Sequence, residues 1–452
     1  MTDLKTISII GGGLAGCEAA YQAAKRGHQV NLYEMRFTGK PEKPDLTTPA
    51  HQSGLLAELV CSNSLKSTEP GNAHGLLKAE LALLDSLLLK CAKKVLVPAG
   101  KALAVDREQF SIAVTDATRN NPKIKIISEE RSEIPEGPAI IASGPLTSDK
   151  LSLALAGMLG EQGLFFFDAI APIIEAGSLD HSKMFKASRY SDEEGQYWNA
   201  PLTKDQYLSF VNELAKAQRH QPHGFEAGHY YEGCLPVEVL AERNVNSLRF
   251  GMMKPVGLFN PHEGRRPYAV LQLRQENLEG TMFNLVGFQT QLKISEQKRV
   301  FRMIPGLEKA EFLRYGSMHR NTYLNGPKHI HATMQSKVRK DLFFAGQITG
   351  VEGYVESIAA GLLAGINICR HLDGRPLLVP PPLTMLGALC KYASEGGTGK
   401  SFQPMNANFG LLPPLETSVH SKKLRYEAYS QRALEAMGEF LTPPNPPRCG
   451  EG

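Results

Sequence analysis

The chain has 452 residues, seven cysteines and a formal net charge of +4, with 21% of its residues charged. That length accommodates about two or three domains, and the mild basic excess permits an anionic partner without demanding one. The cysteines (17, 61, 91, 234, 369, 390 and 449) form neither a CxxC pair nor a Cys/His ligand spacing, so neither a zinc site nor a disulfide framework is indicated; no apolar run nears a membrane span, and the first strand starts too early for a secretory leader, so a cytoplasmic protein without a membrane partner is expected.

The first element predicted is a strand, Ile7-Ser-Ile-Ile10, which runs into Gly11, Gly12, Gly13, Leu14, Ala15 and Gly16 and then a helix. Gly11 suits a tight turn, Gly13 a close backbone approach to a pyrophosphate, and Gly16 close helix–strand packing, with the amides at the helix start facing the phosphates. A second strand, Val30-Asn-Leu-Tyr33, ends at Glu34, where a carboxylate can accept from a ribose diol. A Pro- and Thr-rich loop (38–53) follows, then one helix in which Leu77, Leu81, Leu84, Leu88 and Cys91 share a face, so that Cys91 reads as core. Strands at Ile140-Ile-Ala-Ser-Gly-Pro145 and Leu342-Phe-Phe-Ala-Gly346 end in small residues, as strands do beneath a cofactor. Between them, glycine-punctuated runs such as Tyr268-Ala-Val-Leu-Gln-Leu273 indicate strands and turns. The expected architecture is α/β: a discontinuous Rossmann-like FAD-binding domain (1–188 and 319–452, the latter with a C-terminal extension) carrying an inserted α+β domain (189–318).

The late loop Gly346-Gln347-Ile348-Thr349-Gly350-Val351-Glu352-Gly353-Tyr354 joins a strand to a small-residue helix and so offers a second set of backbone donors. No second GxGxxG exists, so NAD(P)H is expected as a visiting reductant and FAD as the resident dinucleotide. Gly396-Gly-Thr-Gly-Lys-Ser401 imitates the end of a P-loop, but Ser394 stands where that motif requires glycine, and no clear strand precedes it. Two cysteines stand apart from helical apolar stripes: Cys61 in Glu58-Leu-Val-Cys-Ser-Asn-Ser64 and Cys234 in Tyr230-Tyr-Glu-Gly-Cys-Leu-Pro236. Each can present a thiol to a cleft, where a cation or helix N-terminus would activate it.

Those two stretches, with Ala102-Leu-Ala-Val-Asp-Arg107, Phe167-Asp-Ala-Ile-Ala-Pro172, Lys254-Pro-Val-Gly-Leu258, Val286-Gly-Phe-Gln-Thr290, Met318-His-Arg-Asn-Thr322, the 346–354 loop and Phe402-Gln-Pro-Met-Asn-Ala-Asn-Phe-Gly410, resemble the folate- and FAD-dependent tRNA (uracil-5-)-methyltransferases over most of the chain. The resemblance implies methylation of uridine C5 in tRNA, at the T-loop position, with 5,10-methylenetetrahydrofolate as carbon donor and reduced FAD as hydride donor. It implies a thiolate at Cys234 adding to C6, and Cys61 removing the C5 proton; the sequence itself does not say which thiol is nucleophile and which is base. It also implies tRNA and folate as partners, with no obligate protein partner evident. Candidate phosphate contacts are Arg265 and Arg266; Lys298, Arg299 and Arg302; Lys337, Arg339 and Lys340; and Lys422, Lys423 and Arg425.

Two positions depart from the family pattern: Ala200 precedes Pro201 where a cysteine is usual, and Ile294 stands where an aromatic residue suits stacking on folate. Competing readings keep the chemistry but act on ribosomal RNA, or make the chain a flavin-dependent modifier of the tRNA wobble uridine, whose long helical extension has no room after Gly410. A non-catalytic FAD-containing RNA-binding protein would need no positioned thiols.

Overall fold

The structure, a computed structural model, describes residues 6–48, 50–160, 164–169, 171–189, 195–220, 235–396, 402–417 and 419–442. Five strands form a fully parallel sheet in the order Leu342–Phe344, Ala139–Ile141, Ile7–Ile10, Val30–Tyr33, Ile124–Ile127. Parallel strands are covered on both faces and therefore read as continuous apolar runs; Ile140, Ile141, Phe343 and Phe344 are all fully buried. The late strand lies beside residues 139–141, so the sheet is assembled from both ends of the chain, as a discontinuous Rossmann-like domain requires. Helices Leu14–Lys25 and Tyr354–Leu372 pack with their backbones nearly touching: a Cβ at Gly361 would lie 2.2 Å from the Ala15 carbonyl oxygen.

The helix expected across Leu77–Cys91 is two helices, Ala73–Leu83 and Leu87–Lys94. Asp85 takes a left-handed turn (φ 65°) and Ser86 caps the second helix. Buried Glu18 satisfies the orphaned amides of Leu87 (3.2 Å) and Leu88 (3.0 Å), so the break is held from the first helix. Cys91 is buried, as its spacing indicated.

The second sheet has six strands in the order Phe185–Ala187, Tyr197–Leu202, Ala269–Gln275, Met282–Leu285, Ile173–Glu175, Phe312–Arg314, all antiparallel. It begins before residue 189, where the inserted domain was expected to start. Helices Lys204–Lys216 and Ile294–Phe301 cover a separate apolar core in which Phe210, Phe288 and Phe301 are fully buried. The ring pairs Phe210–Phe288 (6.1 Å) and Phe288–Phe301 (5.6 Å) have the offset and edge geometries that aromatic quadrupoles favour. An antiparallel ribbon, Leu164–Ala169 with Met318–Tyr323, carries the chain out to this sheet and back. No described helix is long and apolar enough to cross a membrane, and no described group of His, Cys, Asp or Glu is placed to hold a metal ion.

Candidate active site

At the carboxyl end of the first strand the chain turns at Gly11 (φ 103°), where a Cβ would meet the Ala142 carbonyl oxygen at 2.4 Å. Gly16 lies behind the turn, its Cβ position 1.8 Å from the Gly11 oxygen. Gly13, the N-cap of helix Leu14–Lys25, differs: nothing stands within 4 Å of its Cβ position, and no side chain caps the helix. The first helical amides are therefore open toward free space, which suits a pyrophosphate. Glu34 closes this side. One of its carboxylate oxygens accepts from the Gly12 amide (2.8 Å), and the other from the Arg36 amide (3.2 Å) and faces the Arg36 guanidinium.

Gly11, Gly13, Leu14, Ala15 and Glu34 line one cavity with Gly346, Gln347 and Tyr354 of the late loop. Gly12, Gly16, Thr349 and Gly350 lie outside its lining. The Thr349 hydroxyl donates to the Gly346 carbonyl (2.8 Å), and the space beside Gly350 is filled by Phe402, so these two shape the loop.

Cys61 lines a second cavity that shares Val60, Pro145, Leu146, Gln347 and Tyr354 with the first. Its loop is held on three sides. The Tyr354 hydroxyl oxygen accepts from the amides of Cys61 (2.7 Å) and Ser62 (3.0 Å). Burial pushes the Tyr354 phenol well above its usual value, so it keeps its own proton. Arg107 donates to the carbonyls of Leu59 (2.8 Å) and Cys61 (3.4 Å) and pairs with Glu276 of the second sheet (2.6 Å). Arg274 donates to Asn63 Oδ1 and Ser62 Oγ, both at 2.8 Å, while the Asn63 amide reaches the Val105 (3.0 Å) and Gln275 (2.9 Å) carbonyls. Arg107, Arg274 and Arg314 all interact electrostatically with Cys61.

Glu356, fully buried on the late helix, also lines this cavity. Burial opposes its ionisation, but His74 (3.2 Å), Lys66 and the Ala407 amide (2.9 Å) prevail and hold its carboxyl below the usual range. Its second oxygen has no hydrogen-bond partner, an orphaned acceptor at the edge of the site.

Cys234 lies outside the described residues. Downstream of it, Glu238 is buried and committed to the Thr290 hydroxyl (2.8 Å) and Gln291 amide (2.7 Å). Ala200 is fully buried within the second sheet; Ile294, 50% exposed at a helix start, lines neither cavity. Sequence reasoning singled out neither Arg274 nor Glu276, nor Arg314. Each sits on or beside an alternating strand with nothing in its spacing to mark it, and Arg107 figured only inside a family motif.

A glycine turn and helix N-terminus at the end of a parallel strand, with an acid closing the next strand and a second glycine loop opposite, define a dinucleotide-binding α/β protein of the flavoprotein kind. The family model "Glucose inhibited division protein A" matches residues 6–376. Proteins named methylenetetrahydrofolate--tRNA-(uracil-5-)-methyltransferase are close relatives: that of Pelotomaculum thermopropionicum is 54% identical, covering 96% of this chain and 98% of its own, and that of Shouchella clausii 51%, covering 98% and 99%. The Aquifex aeolicus GidA structure shares the fold (TM-score 0.67, 16% identity, 96% of this chain and 73% of that one). The chain belongs to the methylenetetrahydrofolate--tRNA-(uracil-5-)-methyltransferase family.

Proposed function

We propose that this chain methylates C5 of a uridine in tRNA, at the T-loop position, with 5,10-methylenetetrahydrofolate as carbon donor, FAD as resident flavin and NAD(P)H as reductant, acting in the cytoplasm. The observation that carries the reading is the wall shared by the glycine cradle and the Cys61 cavity. A group held in the first reaches the second past Gln347 and Tyr354. The names of the relatives support tRNA and folate as substrates.

The cradle fits FAD because Gly13 leaves space over uncapped helix amides. Gly11, Gly13, Leu14, Ala15 and Glu34 would hold its phosphates and ribose, and Gly346, Gln347 and Tyr354 its far end. When bound, the flavin supplies the hydride that completes the methyl group. Cys234 adds to uracil C6, forming an S–C6 bond and giving C5 carbanion character; C5 takes the one-carbon unit, Cys61 removes the C5 proton as tetrahydrofolate leaves, and once the exocyclic carbon is reduced the S–C6 bond breaks to return the Cys234 thiolate. Three guanidiniums around the Cys61 loop favour a negative charge on its sulfur. Tyr354, which accepts two amides and keeps its proton, is placed to donate into the cavities it separates.

The test is to incubate purified protein with unmodified tRNA, methylenetetrahydrofolate and NAD(P)H and to map 5-methyluridine. Product that requires S-adenosylmethionine, or protein purified without flavin, overturns the proposal.

A further inference from the structure

The four basic groups picked out in the sequence are not equivalent in the fold. Arg299 is paired with Glu296 and Glu213, and Arg302 is spent on the Ala310 carbonyl and Glu311. Arg339 binds the carbonyls of Pro135 and Gly137 and pairs with Asp341, while Lys337 donates to the Pro327 carbonyl. Lys423 faces Glu427, and Lys422 and Arg425 lie over the Tyr426 ring. Arg265 and Arg266 instead line a cleft of about 600 Å³ on the second domain, together with Lys204, Arg249 and Lys254. Glu263, paired with Arg265, is the one carboxylate among the described lining residues.

The cleft also has an aromatic wall. Phe250, 73% exposed, projects at its edge, and the Arg249 guanidinium lies over both the Phe250 ring (5.3 Å) and the Tyr268 ring (4.3 Å). A large exposed ring beside an excess of cations matches a ligand with both anionic charge and a flat face. Sugar-phosphate with an unstacked base has that chemistry. The strand Ala269–Gln275 ties the cleft to the thiol cavity: Tyr268 precedes it at the cleft, and Arg274 near its other end touches the Cys61 loop. Tyr268 and Arg274 are six residue steps apart, about 20 Å at ~3.3 Å per residue.

We infer that this cleft is a second contact site for the RNA substrate, gripping backbone phosphates and stacking one base on Phe250, away from the reacting uridine. The inference rests on the proposed tRNA activity, and its test reads binding alone. Unmodified tRNA is titrated onto the flavin-loaded protein over a range of salt concentrations. Lys204→Ala with Arg266→Ala should weaken binding roughly 10- to 100-fold and reduce the log–log salt slope by about 2. Phe250→Ala should weaken binding with the slope unchanged, and Phe250→Trp should restore it. Glu263→Gln, which removes the one acid, should tighten binding. Lys101→Ala with Lys183→Ala, two exposed lysines that pair with Glu69 and with Asp180 and Glu308, is the control and should leave both affinity and slope unchanged. Flavin content should match wild type in every variant, which separates a lost contact from a lost fold. Unchanged tRNA affinity in the cleft variants overturns the inference, as does an equal effect in the control. A wild type that binds tRNA but makes no 5-methyluridine refutes the proposed function and leaves this site standing.

Discussion

The glycine cradle and the Cys61 cavity share a wall but are built by opposite means. The cradle is made chiefly of backbone, and its working feature is the absence of atoms: Gly13 has nothing within 4 Å of its Cβ position. The thiol cavity is made by side chains that converge from residues 61–63, 107, 274–276 and 354, with Arg107 and Arg274 tying the Cys61 loop to the second sheet. A site of the first kind tolerates no addition, and one of the second kind tolerates no loosening. Substitutions should therefore separate cofactor binding from catalysis.

The largest separation is expected at Cys234. Cys234→Ala should lower methylation on the order of 10³-fold or more, with the flavin spectrum and tRNA affinity retained; normal turnover in that variant would remove Cys234 from the chemistry. On the cradle side, Gly13→Ala has room to fold, so its melting temperature without flavin should stay near wild type while flavin affinity falls at least about tenfold, ~1.4 kcal/mol. Gly16→Ala is the contrast, because its Cβ would lie 1.8 Å from the Gly11 oxygen and the fold itself should weaken. If the two alanines behave alike, the free space at Gly13 is not a ligand site.

Between these lies Arg274, which bridges Asn63 and Ser62 with two donors at fixed angles. Lysine keeps the charge but not the fork. Arg274→Lys should cut kcat on the order of 10²-fold, the cost of displacing a reacting group by about 1 Å. Alkylation of Cys61 by iodoacetamide should slow while flavin content holds. A variant with full kcat would show that the loop needs only the cation.

The contrast also explains what could be read in advance. The cradle was legible because its turn, helix start and closing acid all fall within residues 7–34, and each glycine answers a local steric demand. The single helix expected over Leu77–Cys91 failed because its apolar spacing continues across a break whose cause, Glu18, comes from a different helix. Arg274 was illegible for the same reason. It lies in an alternating strand, and its role depends on Ser62 and Asn63, more than 200 positions earlier. Family motifs marked the neighbourhood of Cys61 and included Arg107; the placement of Arg274 and Arg314 around it came only from the tertiary fold.

The smallest effect should appear in stability and not in chemistry. Glu80 is buried on helix Ala73–Leu83, where it accepts from the amides of Met385 (2.7 Å) and Leu386 (2.8 Å) at the start of helix Met385–Glu395, and it lines neither cavity. Burial, only partly offset by those amides, pushes its carboxyl up to about 8. The folded state then holds this proton more tightly than the unfolded chain does, so its contribution to stability is full at acid pH and declines as pH rises toward 8. Lys78, two residues earlier on the same helix, is lowered to about 8 by burial and acts in the next window, adding stability as pH rises further. The melting temperature of wild type relative to Glu80→Gln should therefore narrow or invert between pH 5 and pH 8, with kcat and flavin content equal in both. A difference independent of pH over that range would mean that the fold keeps Glu80 ionised, with the two helix amides outweighing its burial.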